Sequence, residues 1–437
     1  MKKILSILCV LLVASTMFGA AKKKAVTINL YAFTDEVPGM VQKFLDSKYP
    51  DVKLNTTQIA TTDGAYQPAL NEALKNGEVD MFAAEAAFVL KYSKGDMSDF
   101  VAPYKDFGIK IDKAIKDADI ASYTVDIGSN NKGQVVGLGY QATGGCFIYN
   151  RTVAKKVFGS DDPKTVQAAI GGGSQSWDKF WAAAEKCAAA GCAIVSGDGD
   201  VWHAIENSSD KGWIVDEALY IDPKREAFLD VSKKLTDNGW SNRTQDWTEG
   251  WFADMAEVGP KPVLGFFGPA WLINYTMKDN VKDTFGDWAV CNSPVGFFWG
   301  GTWVMGTKVG AKDKNKKTII KEILEWITLD TTSDGLLYKW ANGTLNGEGG
   351  TKDTVSSGVV MKKSDGKVAL LGNQNMFEYF VPAGAYANGK NLTQYDEGIN
   401  AQWRDQVRAY ANGQKSREAA IKDFKQAVAD KYGLDID

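Results

Sequence analysis

The sequence predicts an α/β protein made of two lobes. Near the amino terminus, apolar runs rich in β-branched residues alternate with segments whose apolar residues recur at helical spacing. This order is typical of parallel strands covered by helices. The chain also has 437 residues, well above the roughly 100–200 residues of a typical domain. Two substantial hydrophobic cores are therefore expected.

The first elements follow from these patterns in chain order. Strands are predicted where apolar and β-branched residues are concentrated, at residues 26–33, 52–59 and 79–83. The helix between the first two strands ends before Pro50, and its apolar face consists of Val37, Val41, Phe44 and Leu45. A second helix is predicted at residues 65–74.

Three later helices are predicted from the same spacing. The first has an apolar face of Ile319, Ile323, Leu324 and Ile327. The tail has a helix that presents Ile399, Trp403, Val407 and Tyr410. After a break at Gly413, Ser416 is suited to cap a last helix that carries Ile421, Phe424 and Val428.

The amino terminus is typical of a secretory signal peptide. Lys2 and Lys3 precede an apolar stretch at 4–18, and the small residues Gly19, Ala20 and Ala21 follow it. We expect cleavage after Ala21 and a mature chain that begins at Lys22. Cys9 lies too early for a lipid-attachment site. No later run approaches the roughly 20 apolar residues of a membrane span, so the mature protein is expected to be soluble in the periplasm.

The charge balance disfavours two classes of partner. The chain has 50 basic and 54 acidic residues, a formal net charge of −4, and loss of the leader with Lys2 and Lys3 makes it two charges more negative. A mildly acidic chain with interspersed signs offers no broad attraction for nucleic acid or anionic lipid. Neither is an expected partner.

Four cysteines remain after the leader, and their state is open. Cys187 and Cys192 are close enough in sequence to form a disulfide around a helix end at Gly191, which export permits. Buried free thiols are equally consistent with Cys146, Cys187, Cys192 and Cys291. No CxxC spacing typical of a metal site is present.

Reaction chemistry has little support in the sequence. His203 is the only histidine, and it has neither a G-x-S-x-G elbow nor an H-E-x-x-H zinc motif around it. The glycines at 171–173 lack the lysine of a P-loop, and Trp202 interrupts the calcium-like Asp198-Gly199-Asp200. No catalytic residue, metal or cofactor is therefore predicted. Because a glycosidase needs only two carboxylates, a secreted glycoside hydrolase remains the alternative.

The distribution of tryptophan is the most informative pattern. All 14 tryptophans lie at or after Trp177, and eleven lie between Trp177 and Trp303. They are densest in four strings at 200–203, 247–251, 268–271 and 299–303. Such residues form either a thick core or a pocket for a flat, partly apolar ligand. A pyranose ring, with apolar faces and a rim of hydroxyls, fits indole faces bordered by acids and amides.

Several segments resemble one family. They are 33–38 (FTDEVP), 60–70 (ATTDGAYQPAL), 84–88 (AEAAF), 140–143 (YQAT), 268–271 (GPAW) and 299–303 (WGGTW). Together, and in this order, they are similar to the extracellular solute-binding proteins of carbohydrate ABC importers, the group that includes maltose-binding protein. The resemblance runs through essentially the whole mature chain.

This resemblance implies the type II periplasmic-binding-protein fold, in which hinge-connected lobes enclose a ligand cleft. Crossings between the lobes are expected near Tyr140, Phe297 and Asp330. The amino-terminal lobe would then comprise 22–141 and 298–330, and the carboxy-terminal lobe 142–297 and 331–437. The implied function is capture of a mono- or oligosaccharide by a monomer that delivers it to the permease subunits of an ABC transporter. A peptide or polyamine ligand is the less favoured reading.

The resemblance also implies site residues. From the first lobe these are Phe33, Thr34, Asp35 and Glu85, although Asp35 and Glu85 would also suit helix caps. Trp271 matches a stacking aromatic of the family. The further candidates are Trp202, Trp247, Trp251, Trp299, Trp303, Gln374 and Phe377. One departure is Gly144-Gly145, where relatives such as maltose-binding protein have an acidic residue, so a specificity for maltose is not implied.

The remaining tryptophans are interpreted as core. Trp177, Trp181, Trp326 and Trp403 lie on helix faces with apolar neighbours. The same interpretation is favoured for Trp213, Trp240, Trp288 and Trp340. We therefore expect polar groups from the first lobe and most of the stacking faces from the second.

Overall fold

The computed structural model describes residues 25–61, 64–347 and 349–436. The predicted signal peptide at 1–21, its cleavage at Ala21 and Cys9 lie outside these residues.

The strands are short, and their bounds in chain order are as follows: β1 Thr27–Ala32, β2 Lys53–Gln58, β3 Met81–Glu85, β4 Gly137–Gly139, β5 Cys146–Asn150, β6 Ile214–Val215, β7 Ala218–Leu219, β8 Gly265–Gly268, β9 Trp288–Cys291 and β10 Thr302–Gly306.

The α-helices surround these strands: α1 Glu36–Lys48, α2 Tyr66–Lys75, α3 Val89–Ser93, α4 Ile111–Ala118, α5 Ser122–Ile127, α6 Arg151–Phe158, α7 Pro163–Ile170, α8 Asp178–Ala189, α9 Gly199–Asn207, α10 Pro223–Glu226, α11 Phe228–Asp237, α12 Glu249–Met255, α13 Lys278–Asn280, α14 Lys308–Lys312, α15 Lys317–Thr328, α16 Leu336–Ala341, α17 Gly358–Met361, α18 Phe377–Ala383, α19 Asp396–Ala411 and α20 Arg417–Tyr432.

The first lobe is built on a five-stranded sheet with the order β2-β1-β3-β10-β4. Strand β1 is parallel to both β2 and β3, as the strand and helix alternation predicts. Strand β10 is antiparallel to β3 and β4 and pairs Thr302 with Glu85. The sheet therefore receives a strand from far along the chain, and this places the residues before Thr302 beside the end of β3.

The core of the first lobe joins this sheet to α1 and α15. Ile28 and Leu30 of β1 pack with Phe44 of α1 and with Ile320 and Ile323 of α15, all buried. Both helices are among those predicted from apolar spacing. Because their apolar faces meet the sheet, burial of these side chains supplies most of the stabilisation of the lobe.

The packing favours a later third crossing than the one expected near Asp330. Leu336, Trp340 and Val360 belong to the core of the first lobe, whereas Leu370 belongs to a core cluster of the second. Met361 packs against both clusters. We therefore place residues 331–360 with the first lobe. The apolar residues of α16 follow α15 and extend the same buried face, which the spacing of the sequence did not reveal.

The second lobe contains a three-stranded sheet with the order β8-β5-β9, in which both pairs are antiparallel. Every residue of β5 is buried, because helices cover the sheet on both faces. The tail helices pack together on this lobe: Trp403 of α19 contacts Phe424 of α20. The predicted cap is confirmed, since Ser416 Oγ accepts a hydrogen bond from the Ala419 N–H at 3.1 Å.

The hinge consists of three segments that lie side by side, at residues 140–145, 297–301 and 353–357; the first two connect the lobes, and the third lies just before the last crossing. Gln141 pairs with Val355, and Gly144 pairs with Phe298, both antiparallel. The Trp299 N–H donates to the Thr143 carbonyl at 3.1 Å, and the Ala142 N–H donates to the Thr354 carbonyl at 3.1 Å. Because these pairings are made between the connecting segments themselves, rotation of the lobes can leave them intact.

The four cysteines of the described residues are free and buried. The alternative of a bridge between Cys187 and Cys192 is thus not realised. Within the described ranges, none of the helices combines the length and apolar character needed to cross a membrane.

Candidate functional site

A cleft of about 420 Å³ lies between the two lobes. The first lobe contributes acidic, apolar and indole side chains, and the second contributes aromatic, amide and carboxylate side chains. The residues that line it include Asp35, Glu36, Met40, Trp340 and Asp353 from the first lobe and Trp271, Asn274, Tyr275 and Asp279 from the second. The cleft therefore combines ring faces with hydrogen-bonding groups from both lobes.

Trp271 lines the cleft and belongs to an indole cluster, which comprises Trp247, Trp251, Trp271 and Trp299. The rings of Trp247 and Trp271 are nearly parallel, with centroids 6.1 Å apart and an interplanar angle of 8°. Trp299 packs edge-on against Trp271 at 4.7 Å, and Trp251 contacts Trp247 at 5.4 Å. The cluster gathers residues from three of the four tryptophan-rich strings of the sequence.

Trp271 is held by the hinge. It follows β8 and precedes a π-helical turn, Leu272–Met277, a type of turn that is frequent at functional sites. Its Nε1–H donates to the Trp299 carbonyl at 3.0 Å. Gly300 has φ +70°, and a Cβ there would lie 3.4 Å from both Trp271 Nε1 and Glu85 Oε1. A glycine at this position thus allows the indole and the carboxyl group to approach the hinge from opposite lobes.

Trp247 is the most exposed member of the cluster, with 40% of its surface accessible. Its φ of 68° lies in the left-handed region, which costs a residue other than glycine about 1 kcal/mol or more. The preceding residue, Asp246, forms an ion pair with Arg404 of α19. Burial opposes ionisation of Asp246, but the Arg404 charge outweighs it and lowers its pKa. The ion pair between Asp246 and Arg404 therefore anchors the segment that carries the strained, exposed Trp247 ring.

His203 lies against Trp299, with ring centroids 4.5 Å apart and an angle of 21°. Its Nδ1 is 3.2 Å from Glu206 Oε2. Burial acts to raise the pKa of Glu206, but the contact with His203 and the hydrogen bond from Asn400 produce a net lowering. The histidine thus supports the indole cluster from the second lobe.

Glu85 ends β3 and points to the hinge from the first lobe. Its Oε2 accepts a hydrogen bond from the Ala87 N–H at 2.8 Å. Burial raises the pKa of this carboxyl to about 7, and the nearby Glu397 and Glu206 carboxylates add to the rise. The hydrogen bond shows that Glu85 closes its own turn, and Oε1 is the oxygen that faces Gly300 and Trp271.

A polar group at the hinge side of the cleft was not predicted from the sequence. The Tyr140 hydroxyl donates to Glu36 Oε2 at 2.7 Å. Asp353 Oδ2 accepts from Gln141 Nε2 at 3.0 Å and from Trp340 Nε1 at 3.3 Å. Burial raises the pKa of Asp353 to about 7, with the Glu36 charge as a further cause. Tyr140 and Gln141 lie in a segment that resembles the family, but nothing local marks Asp353.

The other residues predicted from the first lobe lie at the same end of the sheet. Phe33 is half-buried and packs edge-on against Tyr66 and Phe88. Thr34 follows it. Asp35 occupies the N-cap position of α1 but makes no side-chain cap bond, and it lines the cleft. Of the two interpretations of Asp35, the packing therefore favours the cleft.

Three of the predicted tryptophans are buried, with about 1% of their surface exposed. Trp202 packs against Phe228 in the core of the second lobe. Trp303 lies in β10 and donates from Nε1 to the Thr124 carbonyl at 2.8 Å. Trp251 donates from Nε1 to Asp200 and reaches the cleft only through its contact with Trp247. For Trp202 and Trp303, the packing favours the core interpretation over the cleft.

Gln374 and Phe377 are placed away from the indole cluster. The Gln374 amide accepts from the Val290 N–H and donates to the Val290 carbonyl, each at 2.8 Å, so it fastens its segment to β9. Phe377 is buried in a core cluster of the second lobe. Both side chains are used structurally. Tyr275, by contrast, was not predicted, although it lies one helical turn after Trp271.

Most of the tryptophans interpreted as core residues lie in a hydrophobic core. Trp213, Trp288 and Trp403 are fully buried, and Trp177 stacks on Trp181 at 5.6 Å in the second lobe. Trp340 is buried but also lines the cleft. Within the described ranges, no group of His, Cys, Asp and Glu side chains has an arrangement that could hold a metal ion.

Comparison with known proteins gives a consistent result. A family model described as bacterial extracellular solute-binding protein matches residues 39–342, in agreement with the predicted resemblance. No curated protein sequence matches the chain.

Solved structures share the fold over nearly their whole length and confirm the predicted two-lobed architecture. The galacto-N-biose-/lacto-N-biose I-binding protein of an ABC transporter from Bifidobacterium longum, in complex with lacto-N-biose, has a TM-score of 0.69 at 16% identity, covering 95% of this chain and 100% of its own. The GacH receptor of Streptomyces glaucescens, solved unliganded and with acarbose, has 0.65 at 15%, covering 93% and 98%. The sugar-binding protein MalE from Xanthomonas citri has 0.64 at 13%, covering 93% and 97%.

Proposed function

The chain belongs to the bacterial extracellular solute-binding proteins, and on this premise we propose that it captures a sugar or oligosaccharide between its lobes and delivers it to an ABC importer. The observation that carries the proposal is the indole cluster at the hinge, bordered by carboxylates from both lobes. Trp271 contacts the hinge from the second lobe, and Glu85 reaches the same glycine from the first.

The chemistry of the cleft matches a pyranose. Indole faces remove the apolar C–H faces of the ring from water, which contributes dispersion and hydrophobic energy. Asp35, Glu36 and Asn274 offer acceptors and donors for hydroxyls around the ring edge. Since a buried hydroxyl without a partner costs about 1–3 kcal/mol, these edge groups set specificity, whereas the rings supply affinity.

Binding is coupled to closure in this proposal. A sugar that touches both lobes makes contacts only the closed form can offer, and this difference shifts the population toward closure. The membrane permease then recognises the closed lobes. The solved relatives support this inference, because one is described as part of an ABC transporter with lacto-N-biose bound and another as a sugar-binding protein.

The proposal assigns the protein no cofactor and no catalytic step. It is exported as a soluble monomer, and the permease subunits are its partner after capture. The carboxylates of the cleft serve as hydrogen-bond acceptors. A hydrolytic role would require two of them to act on a glycosidic bond held between them, which gives a direct test.

The test is a screen of intrinsic fluorescence with the mature protein. The panel comprises glucose, galactose, maltose, cellobiose, lactose and their trisaccharides. We expect one or a few sugars to change tryptophan emission saturably, because Trp271 lines the cleft and Trp247 and Trp299 pack against it. The bound sugar, recovered after overnight incubation, should be chemically unaltered.

Two outcomes would replace the proposal. Recovery of shortened sugar would favour the glycoside hydrolase. A saturable response to an oligopeptide or to spermidine, with none to any sugar, would favour a different solute.

A further inference from the structure

Residues 384–395 form a segment, here called the strap, that leaves the second lobe after α18 and returns to it at α19. Its anchors on the second lobe are clear. The Asn391 side chain donates to the Ser209 carbonyl at 2.5 Å. The Tyr386 ring covers Gly296, where a Cβ would lie 2.1 Å from the ring. The strap is therefore part of the second lobe by both sequence and attachment.

The middle of the strap nevertheless packs on the first lobe. Ala387 is buried within an apolar cluster of that lobe, and Leu392 packs against the same cluster. The strap backbone also lies directly against the first lobe at Gly389, since a Cβ there would lie 2.4 Å from the side chain of Ile127 in α5. The strap thus inserts small apolar residues between the two lobes.

Hydrogen bonds also join the strap and the start of α19 to the first lobe. The Gln394 side chain accepts from the Asp96 N–H at 3.1 Å and donates to Asp96 Oδ1 at 3.3 Å. In the first turn of α19, Glu397 accepts a hydrogen bond from Gln67 of α2. Asp96 and Gln67 belong to the first lobe, and neither lies in a hinge segment.

We propose that the strap is a latch that restrains opening of the cleft. The hinge pairings lie within the connecting segments, so they can survive a rotation of the lobes. The hydrogen bonds of Gln394 with Asp96 and of Glu397 with Gln67 join residues of opposite lobes outside the hinge segments, so a rotation that parts these residues must break them. The latch rests on the proposed function in one respect, because the interface between the two lobes is the one that opens in that function.

The strength of the latch follows from its hydrogen bonds and apolar contacts with the first lobe. Each net hydrogen bond shifts an open and closed equilibrium roughly two- to tenfold, and the apolar contacts of Leu392 add to this. Because the contacts are few, the latch is releasable. Asn391 and Leu392 of the strap lie beside Glu206 and Phe298. Near Asp35 and Tyr275, a separate contact between the lobes is the hydrogen bond that the Asn274 amide donates to the Lys352 carbonyl.

The experiment measures the distance between lobes in the mature protein without any added sugar. Spin labels are placed on the exposed positions Asp46→Cys in α1 and Lys278→Cys in α13. Double electron–electron resonance is recorded for this pair alone and with the latch substitutions Gln67→Ala, Leu392→Ala and Gln394→Ala. We expect a longer-distance population that rises at least about tenfold relative to the shorter one.

Lys390→Ala is the matched control, because it lies on the strap with an exposed side chain and should leave the distances unchanged. A second variant tests the latch without weakening the fold: Asp96→Cys with Gln394→Cys, oxidised to a disulfide, should remove any longer-distance population, and reduction should restore it. Unchanged distances in the latch variant, or an equal change in the control, would overturn the proposal. Failure of every sugar in the fluorescence screen would leave this result unaffected.

Discussion

At the scale of single residues, position relative to the hinge separates tryptophans that the sequence presents as equals. Trp271 and Trp303 occur in strings of similar composition. Trp271 follows a strand and reaches the cleft, whereas Trp303 lies within β10, and its ring donates to the Thr124 carbonyl inside the first lobe. The position after β8 lets the Trp271 ring face the cleft, whereas the position within β10 directs the Trp303 ring into the first lobe.

Replacement of Trp271 tests the stacking role. Trp271→Ala should weaken binding of whichever sugar the screen identifies by about 2 kcal/mol, roughly thirtyfold in Kd, because the ring face and its support of Trp299 are lost. Calorimetric titration measures the effect. Trp326→Ala is the control, since that half-buried indole lies on α15 and donates to the Asp334 carbonyl. Equal affinity of the two variants would remove Trp271 from the pocket, and circular dichroism verifies folding.

Glu85 gives a prediction for pH. Its pKa is raised from 4.5 to about 7, chiefly by burial. The native protein therefore holds this proton more tightly than the unfolded chain. The corresponding stability is complete below about pH 4.5 and is lost as the pH rises through about 7. Glu85→Gln keeps an acceptor for the Ala87 N–H and cannot ionise.

Relative to the wild type, the free energy of unfolding of Glu85→Gln should increase between pH 5 and pH 8.5, by about 1–3 kcal/mol. Urea denaturation at the two pH values measures this difference. Glu72→Gln, which removes an exposed carboxyl from α2, serves as the comparison. A difference for Glu85→Gln that does not change with pH would contradict the assignment.

At the scale of elements, the hinge depends on how closely α18 approaches it. A Cβ on Gly144 would lie 2.4 Å from the Ala383 carbonyl carbon and from the Gly384 nitrogen. These are backbone atoms, which cannot turn aside as a side chain would. A larger side chain therefore has no room at this position.

Gly144→Ala should thus destabilise the protein by about 1–3 kcal/mol, the usual range for overpacking. Gly39→Ala is the matched control, because Gly39 lies in α1 and, among the described residues, no neighbouring atom lies within 4 Å of the place that a Cβ would occupy. There the helix propensity of alanine should add about 0.5–1 kcal/mol. Urea denaturation measures the free energy of unfolding of both variants. A Gly144→Ala protein as stable as the wild type would contradict the prediction, because it would show that α18 can move away from the added methyl group.

Helices and strands with a regular apolar period could be predicted well. The strand at 26–33 corresponds to β1, the face of Ile319 to Ile327 to α15, and the cap at Ser416 to the start of α20. The bounds differ by one or two residues. The pairing of β10 with β3 and the place of α16 in the first lobe could not be read locally. Both result from contacts between residues distant in sequence.

At the scale of the whole molecule, two cores joined by three pairing segments produce a protein with a built-in cleft. Each lobe buries its own apolar residues, so the lobes can separate without exposing either core. Between them lie mainly polar groups, half-buried rings and the strap. This division places the stable contacts within lobes and the breakable ones between them, as ligand-driven closure requires.

The sequence by itself determined the broad class: a two-lobed α/β chain, family segments in order, and tryptophans concentrated after Trp177. These properties are local, since periodicity and motif depend on neighbouring residues. Only the tertiary structure decided which side chains meet at the cleft. It separated Trp271 from Trp202, used Gln374 to hold β9, and brought Glu36, Tyr140 and Asp353 together. The physical reason is that a binding site is defined by proximity across lobes, and proximity between residues hundreds of positions apart is decided by packing.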